Sequence, residues 1–197
     1  MSSRYGRLAA GVRALHRRLD RRTRSFRRAS GLACPAGCSY CCLSEEVEAT
    51  VLEMLPLALR LRREGRLAGL LERLREEGTR SCALHSPQPL GPSGGRCTQY
   101  PWRPILCRLF GFASAAGPAG EAELAVCRRM RSPGAAVTLG AAEAVRAGSL
   151  AAPAMRAWSL AVYRLDPALG SRLLPVNEAL REALERVGLE HGMRRSG

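Results

Sequence analysis

A chain of 197 residues, 46% of them hydrophobic, can bury one core, and scarce aromatics beside abundant Ala and Leu favour helices over sheets. The formal charge is +14, yet all 31 basic residues are Arg, a skew that reads as codon bias; non-specific anion binding follows from the charge, a dedicated nucleic-acid function does not. No apolar run approaches the ~18 residues of a membrane span, and no apolar stretch follows the arginine-rich start as a secretory leader requires, so the sequence predicts a cytoplasmic protein with reduced thiols.

Residues 3–29 read as one amphipathic helix. Tyr5, Leu8, Val12, Leu15, Leu19 and Phe26 form its apolar stripe, and ten arginines with the lone acid Asp20 cover the rest. A solvated face explains those arginines, and a basic arm for nucleic acid or acidic lipid is the sharper alternative. No aromatic is left among them for base stacking, which favours the solvated face. Gly31 ends the helix.

The densest chemistry follows. Cys34, Cys38, Cys41 and Cys42 place four thiols in nine residues, with the spacing C-x3-C-x2-C-C across a Pro/Gly turn. Buried free cysteines behave as small hydrophobes, but they do not crowd a turn. Short spacings let sulfurs converge as a soft metal or an iron–sulfur cluster requires, against the plainer readings of a disulfide staple or reactive thiols. Adjacent side chains in extended chain diverge, so Cys41 and Cys42 reach one centre only through a tight turn; otherwise they serve two, or one is not a ligand.

Ser44 is the expected cap of a helix running through Val47, Val51, Leu52, Leu55 and Leu59 to about Arg63, which Pro56 should kink or split. A second helical segment is expected over Leu67–Glu77, stopping at Gly78. From Cys82 to Cys97 two short extended arms should flank a Pro/Gly loop and deliver both thiols to one place. His85, three residues after Cys82, could also ligate, although a plain loop residue is the commoner case. Pro104 suits the first position of a short helix carrying Cys107 and Arg108 and ending at Gly111. Residues 113–126 read as loop, ending at Cys127. Short helices are expected near 138–147, 153–165 and 176–187, with Trp158, Leu160, Val162 and Leu165 in the core.

The expected fold is mainly α with little β: an arginine-rich helix (1–30), a cysteine-cluster metal-binding domain (31–131) and a helical extension (132–197). The cysteine pattern, with Cys97-x2-Tyr100-x2-Arg103-Pro104-x2-Cys107-Arg108 and Cys127, resembles the CxxCxxCC or YkgJ-like cysteine-cluster family, described as a zinc- or iron-chelating domain. Here three residues, Pro35 to Gly37, separate the first two cysteines where the family name implies two. The resemblance covers Cys34 to Cys127. It implies a zinc ion or an iron–sulfur cluster on Cys34, Cys38, Cys41, Cys42, Cys82, Cys97, Cys107 and Cys127, with Arg103, Arg108 and Tyr100 beside the thiolates. A related cysteine region occurs in flagellin lysine methylases, but no methyl-donor fingerprint or catalytic grouping is visible. The expectation is a redox, sensing or accessory role with a protein partner and weak non-specific nucleic-acid contact; a zinc-stabilised interaction module is the alternative.

Overall fold

The computed structural model describes residues 3–34, 38–76, 81–87, 94–131 and 135–195, with backbone alone at 131, 135 and 191–195. The turn expected at Pro35–Gly37, the stop at Gly78 and the middle of the Cys82–Cys97 loop lie outside them. The described chain is mainly helical with three short two-stranded sheets.

Helix α1 (Arg4–Ser30) is the expected long amphipathic helix. Ser3 caps it, accepting from Gly6 N at 3.0 Å, and Gly31 closes it in the left-handed region at φ 70°. Val12, Leu15, Leu19 and Phe26 are buried and Tyr5 and Leu8 partly so, as the stripe requires.

After a 3-10 turn at Tyr40–Leu43, strand β1 (Glu48–Ala49) leads into α2 (Val51–Arg63). The cap is Thr50, not Ser44. Thr50 and Glu53 form a reciprocal capping box, in which Glu53 N donates to Thr50 Oγ1 and Thr50 N donates to the Glu53 carboxylate. Pro56 lies inside α2 without splitting it. An interior proline costs about 3 kcal/mol, and burial of every residue from Val51 to Ala58 offsets it.

α2 is the central rod. It packs on α1 on one side and on α9 (Val176–Arg195) on the other, with α3 (Leu67–Glu76) against α9. α9 runs past the expected 187, and β6 (Leu174–Pro175) before it pairs antiparallel with β1.

The Cys82–Cys97 stretch forms the hairpin expected of two extended arms: β2 (His85–Pro87) opposes β3 (Gly95–Cys97), with His85 facing Cys97. A 3-10 turn at Tyr100–Trp102 leads to α4 (Ile105–Leu109), and Pro104 stands just before the helix as its cap. Residues 113–126, expected as loop, contain a second hairpin, β4 (Ala113–Ala116) with β5 (Ala122–Ala125). Small residues carry little strand propensity; this hairpin is fixed by its ladder and by Ser114 N donating to Pro153 O at 2.9 Å.

Beyond α5 (Arg128–Arg131), α6 (Ala135–Arg146) closes a smaller core of Phe26, Leu32, Phe112, Met130, Ala141 and Val145. α7 (Met155–Tyr163) turns Met155, Trp158 and Val162 inward at i, i+3 and i+7. Leu160 and Leu165, expected in the core, are 42% and 36% exposed: Leu160 lies off that stripe and Leu165 lies past the end of α7. α8 (Pro167–Gly170) is capped by Asp166. Among the described residues no helix is long and apolar enough to cross a membrane.

Candidate metal centre

Cys41 and Cys42 lie in the 3-10 turn at Tyr40–Leu43. Cys42 N donates to Ser39 O at 2.8 Å, and in this tight turn the two thiols act on each other's ionisation. The Cys42 thiol also lowers the Cys97 thiol, so turn and hairpin come near each other at these residues. Backbone ties reinforce the meeting: Cys82 N donates to Cys42 O at 2.9 Å, and Cys38 forms an isolated bridge with Gly94. All eight cysteines are free thiols.

Two neighbourhoods emerge. Cys41, Cys42, Cys82, Cys97 and Cys107 act on one another, and Cys34 interacts with Cys38 and Cys127, with Cys41 felt from both sides. Ionisation is uneven. The Cys42 hydrogen bond, helped by Arg103, pulls the Cys41 thiol down to about 6, and the same donor brings Cys97 down to about 7. Burial pushes Cys82 up to about 11 and raises Cys107, with neighbouring thiolates adding to both. Desolvation of its sulfur and the Cys38 thiol push Cys34 up to about 11. Cys42, donating to two sulfurs, is held strongly protonated.

Arg103 is the cation at this centre. It acts on Cys41, Cys97 and Cys107, donates to the carbonyls of Tyr100 and Cys107 at 3.0 Å each, and lies 3.4 Å over the exposed Tyr100 ring. Arg108 serves the frame. It is buried, its Nη1 donates to both carboxylate oxygens of Asp20 at 2.7 Å, and it bonds the carbonyls of Pro101 and Arg103. α4, which carries Cys107, is thereby tied to α1.

Other supports were not singled out from sequence. Glu53, besides capping α2, accepts from Ile105 N at 2.8 Å and so satisfies the start of α4. The Thr-x-x-Glu pattern was its readable signal. Asn177 of α9 accepts from Ala83 N and donates to Ser81 O, both at 2.8 Å, pinning the backbone on either side of Cys82; no local pattern announces it. Two glycines allow close approach. A Cβ at Gly95 would meet His85 Nε2 at 2.2 Å, and one at Gly111 would meet Met130 Sδ at 2.5 Å and Cys127 Cβ at 3.3 Å.

His85 stands opposite Cys97, and its Nε2 is buried without a hydrogen-bond partner among the described residues. Among the described residues no group of three or more His, Cys, Asp or Glu side chains stands in a geometry that would hold a metal ion. The donor set nevertheless suits a soft metal in chemistry: thiolates at Cys41 and Cys97, further thiols within their field, and one guanidinium. No protein-family model, curated protein or solved structure matches the chain.

Proposed function

We propose that the chain is a cysteine-cluster protein binding an iron–sulfur cluster or zinc through thiolates, in a redox, sensing or accessory role. The observation that carries this reading is that a turn, a hairpin and a helix far apart in sequence are brought together, with Cys82 N donating to Cys42 O at 2.9 Å, so that Cys41, Cys42, Cys82, Cys97 and Cys107 act on one another's ionisation. Thiolates so close raise one another's pKa, and a cation among them favours the charged forms together. Cys34, Cys38 and Cys127 would supply a second group of ligands or the remaining donors of one larger centre. Arg103 would offset part of the charge, and Tyr100 would shield it.

The test is metal and acid-labile sulfide analysis with a visible spectrum, on protein purified with and without air. Brown protein holding iron and sulfide supports the redox reading. Colourless protein with stoichiometric zinc favours the structural alternative, in which chelation under reducing conditions should unfold the cysteine region, since structural zinc contributes on the order of 10 kcal/mol. Cys41→Ser, Cys97→Ser and Cys107→Ser should each lose metal. Reduced protein that takes up neither iron nor zinc, or these three variants keeping full metal, defeats the proposal.

A further inference from the structure

A cavity of about 700 Å³ opens between α1, β3 and the segment from Tyr100 to Phe112, beside the thiols. On α1 its wall is Asp20, Thr23, Arg24 and Arg27, one helical face; β3 contributes Arg96 from the other side. Two further guanidiniums that line it, Arg103 and Arg108, are already committed to carbonyls and to Asp20. Arg24 and Arg96 are different. Both are exposed, and among the described residues neither has a hydrogen-bond or ion-pair partner. Arg27 lies 5.2 Å over the Phe112 ring, which leaves its N–H edge for another acceptor.

Thr23 supplies an independent observation. Its side chain borders the cavity, the residue is only 8% exposed, and its Oγ1 has no hydrogen-bond partner. A buried hydroxyl without a partner is costly and asks for one. Beside the thiols of Cys34, Cys38, Cys97 and Cys107 and the Asp20 carboxylate, which Arg108 engages, the wall carries these three guanidiniums and this hydroxyl as donors. They match the three terminal oxygens and the charge of about −1.5 to −2 of a phosphate monoester better than the two oxygens of a carboxylate. The rings of Tyr100 and Phe112 in the same wall suit a planar organic portion.

We infer that this cavity binds a small phosphate monoester with a planar organic part, through Arg24, Arg27 and Arg96 with Thr23 donating to one phosphate oxygen. The inference goes beyond the metal reading and does not depend on it. The test is calorimetric titration of the full chain, at physiological salt, with phenyl phosphate, inorganic phosphate, benzoate and phenol. Phenyl phosphate should bind one to one, inorganic phosphate more weakly at the same site, and benzoate and phenol at least about tenfold more weakly than phenyl phosphate. Arg24→Ala with Arg96→Ala should weaken phenyl phosphate by about tenfold or more, and Thr23→Val by a few-fold. Arg17→Ala with Arg21→Ala removes the same charge from exposed positions outside the cavity and should leave affinity nearly unchanged. Absence of saturable binding, equal affinity for benzoate, or equal weakening by the control pair overturns the inference. Metal content measured on the same preparations separates the two readings. Metal-free protein that binds phenyl phosphate sinks only the metal proposal, and metal-loaded protein that ignores it sinks only this one.

Discussion

Arg108→Ala probes how the cysteine-bearing helix α4 is held to α1. The guanidinium donates to Asp20 Oδ1 and Oδ2 at 2.7 Å, to Arg103 O at 2.7 Å and to Pro101 O at 2.6 Å, from a side chain only 4% exposed. Removing one partner of a fully buried ion pair costs about 3–5 kcal/mol. Asp20 is 37% exposed, however, and its carboxylate rehydrates, so the Coulombic share falls toward the ~1 kcal/mol of a surface pair. Two carbonyls lose charge-assisted bonds worth about 1 kcal/mol or more each, and the aliphatic stem leaves a gap. The sum is about 3 kcal/mol. Asp20→Asn keeps both carbonyl bonds and should cost about 1 kcal/mol. Urea unfolding followed by far-UV circular dichroism measures both. A loss below about 1 kcal/mol for Arg108→Ala, or Asp20→Asn costing as much as Arg108→Ala, would refute this account.

Two further outcomes follow from buried groups nearby. Burial, then the charges of Arg108 and Arg13, lower His16 from 6.5 to about 3, so the folded protein keeps it neutral. The unfolded chain takes up a proton below about 6.5, so stability is fully present above that pH and is lost as pH falls toward 3. The full slope is about 1.4 kcal/mol per unit. His16→Leu should lack that component of the pH dependence; identical slopes for the two proteins in urea titrations between pH 7.5 and 4.5 would contradict it. Glu53→Ala strands the N–H groups of Thr50 and Ile105 at the starts of two helices and should cost about 2–4 kcal/mol in thermal unfolding, with faster amide exchange at Ile105. A change within about 0.5 kcal/mol would show that water replaces the carboxylate there.

What was legible in the sequence was local. The stripe from Tyr5 to Phe26 with Gly31 behind it defines α1, and two extended arms between Cys82 and Cys97 define the β2–β3 hairpin, because period and turn chemistry act over a few residues. What was missed depends on distant partners. Ser44 and Thr50 are both acceptable caps, and Thr50 prevails because Glu53 completes the box while the chain before it pairs β1 with β6. The hairpin at Ala113–Ala125 needs Pro153 and Ala154 alongside β4. At the site, spacing raised the expectation of gathered thiols, but it carried no information on the roles of the arginines. Arg103 and Arg108 flank Cys107 alike in sequence, and only the position of Asp20 on α1 separates the frame cation from the one that acts on sulfur.

That separation bears on the chemistry of the centre. One guanidinium offsets about one negative charge, and Arg103 is shared by Cys41, Cys97 and Cys107. With it, Cys41 and Cys97 ionise near neutrality while Cys42, Cys82 and Cys107 stay protonated, the neighbouring Cys42 thiol favouring both thiolates. A cation entering this group must displace the Cys42 proton and the burial-held protons of Cys82 and Cys107. Metal uptake should therefore release protons and favour neutral to alkaline pH. Arg103 could not perform that displacement itself, because its N–H groups are fixed on the carbonyls of Tyr100 and Cys107 and its plane on the Tyr100 ring. The fold thus gives the thiols enough positive charge to start ionising and not enough to finish; on the proposed reading a soft cation would complete it.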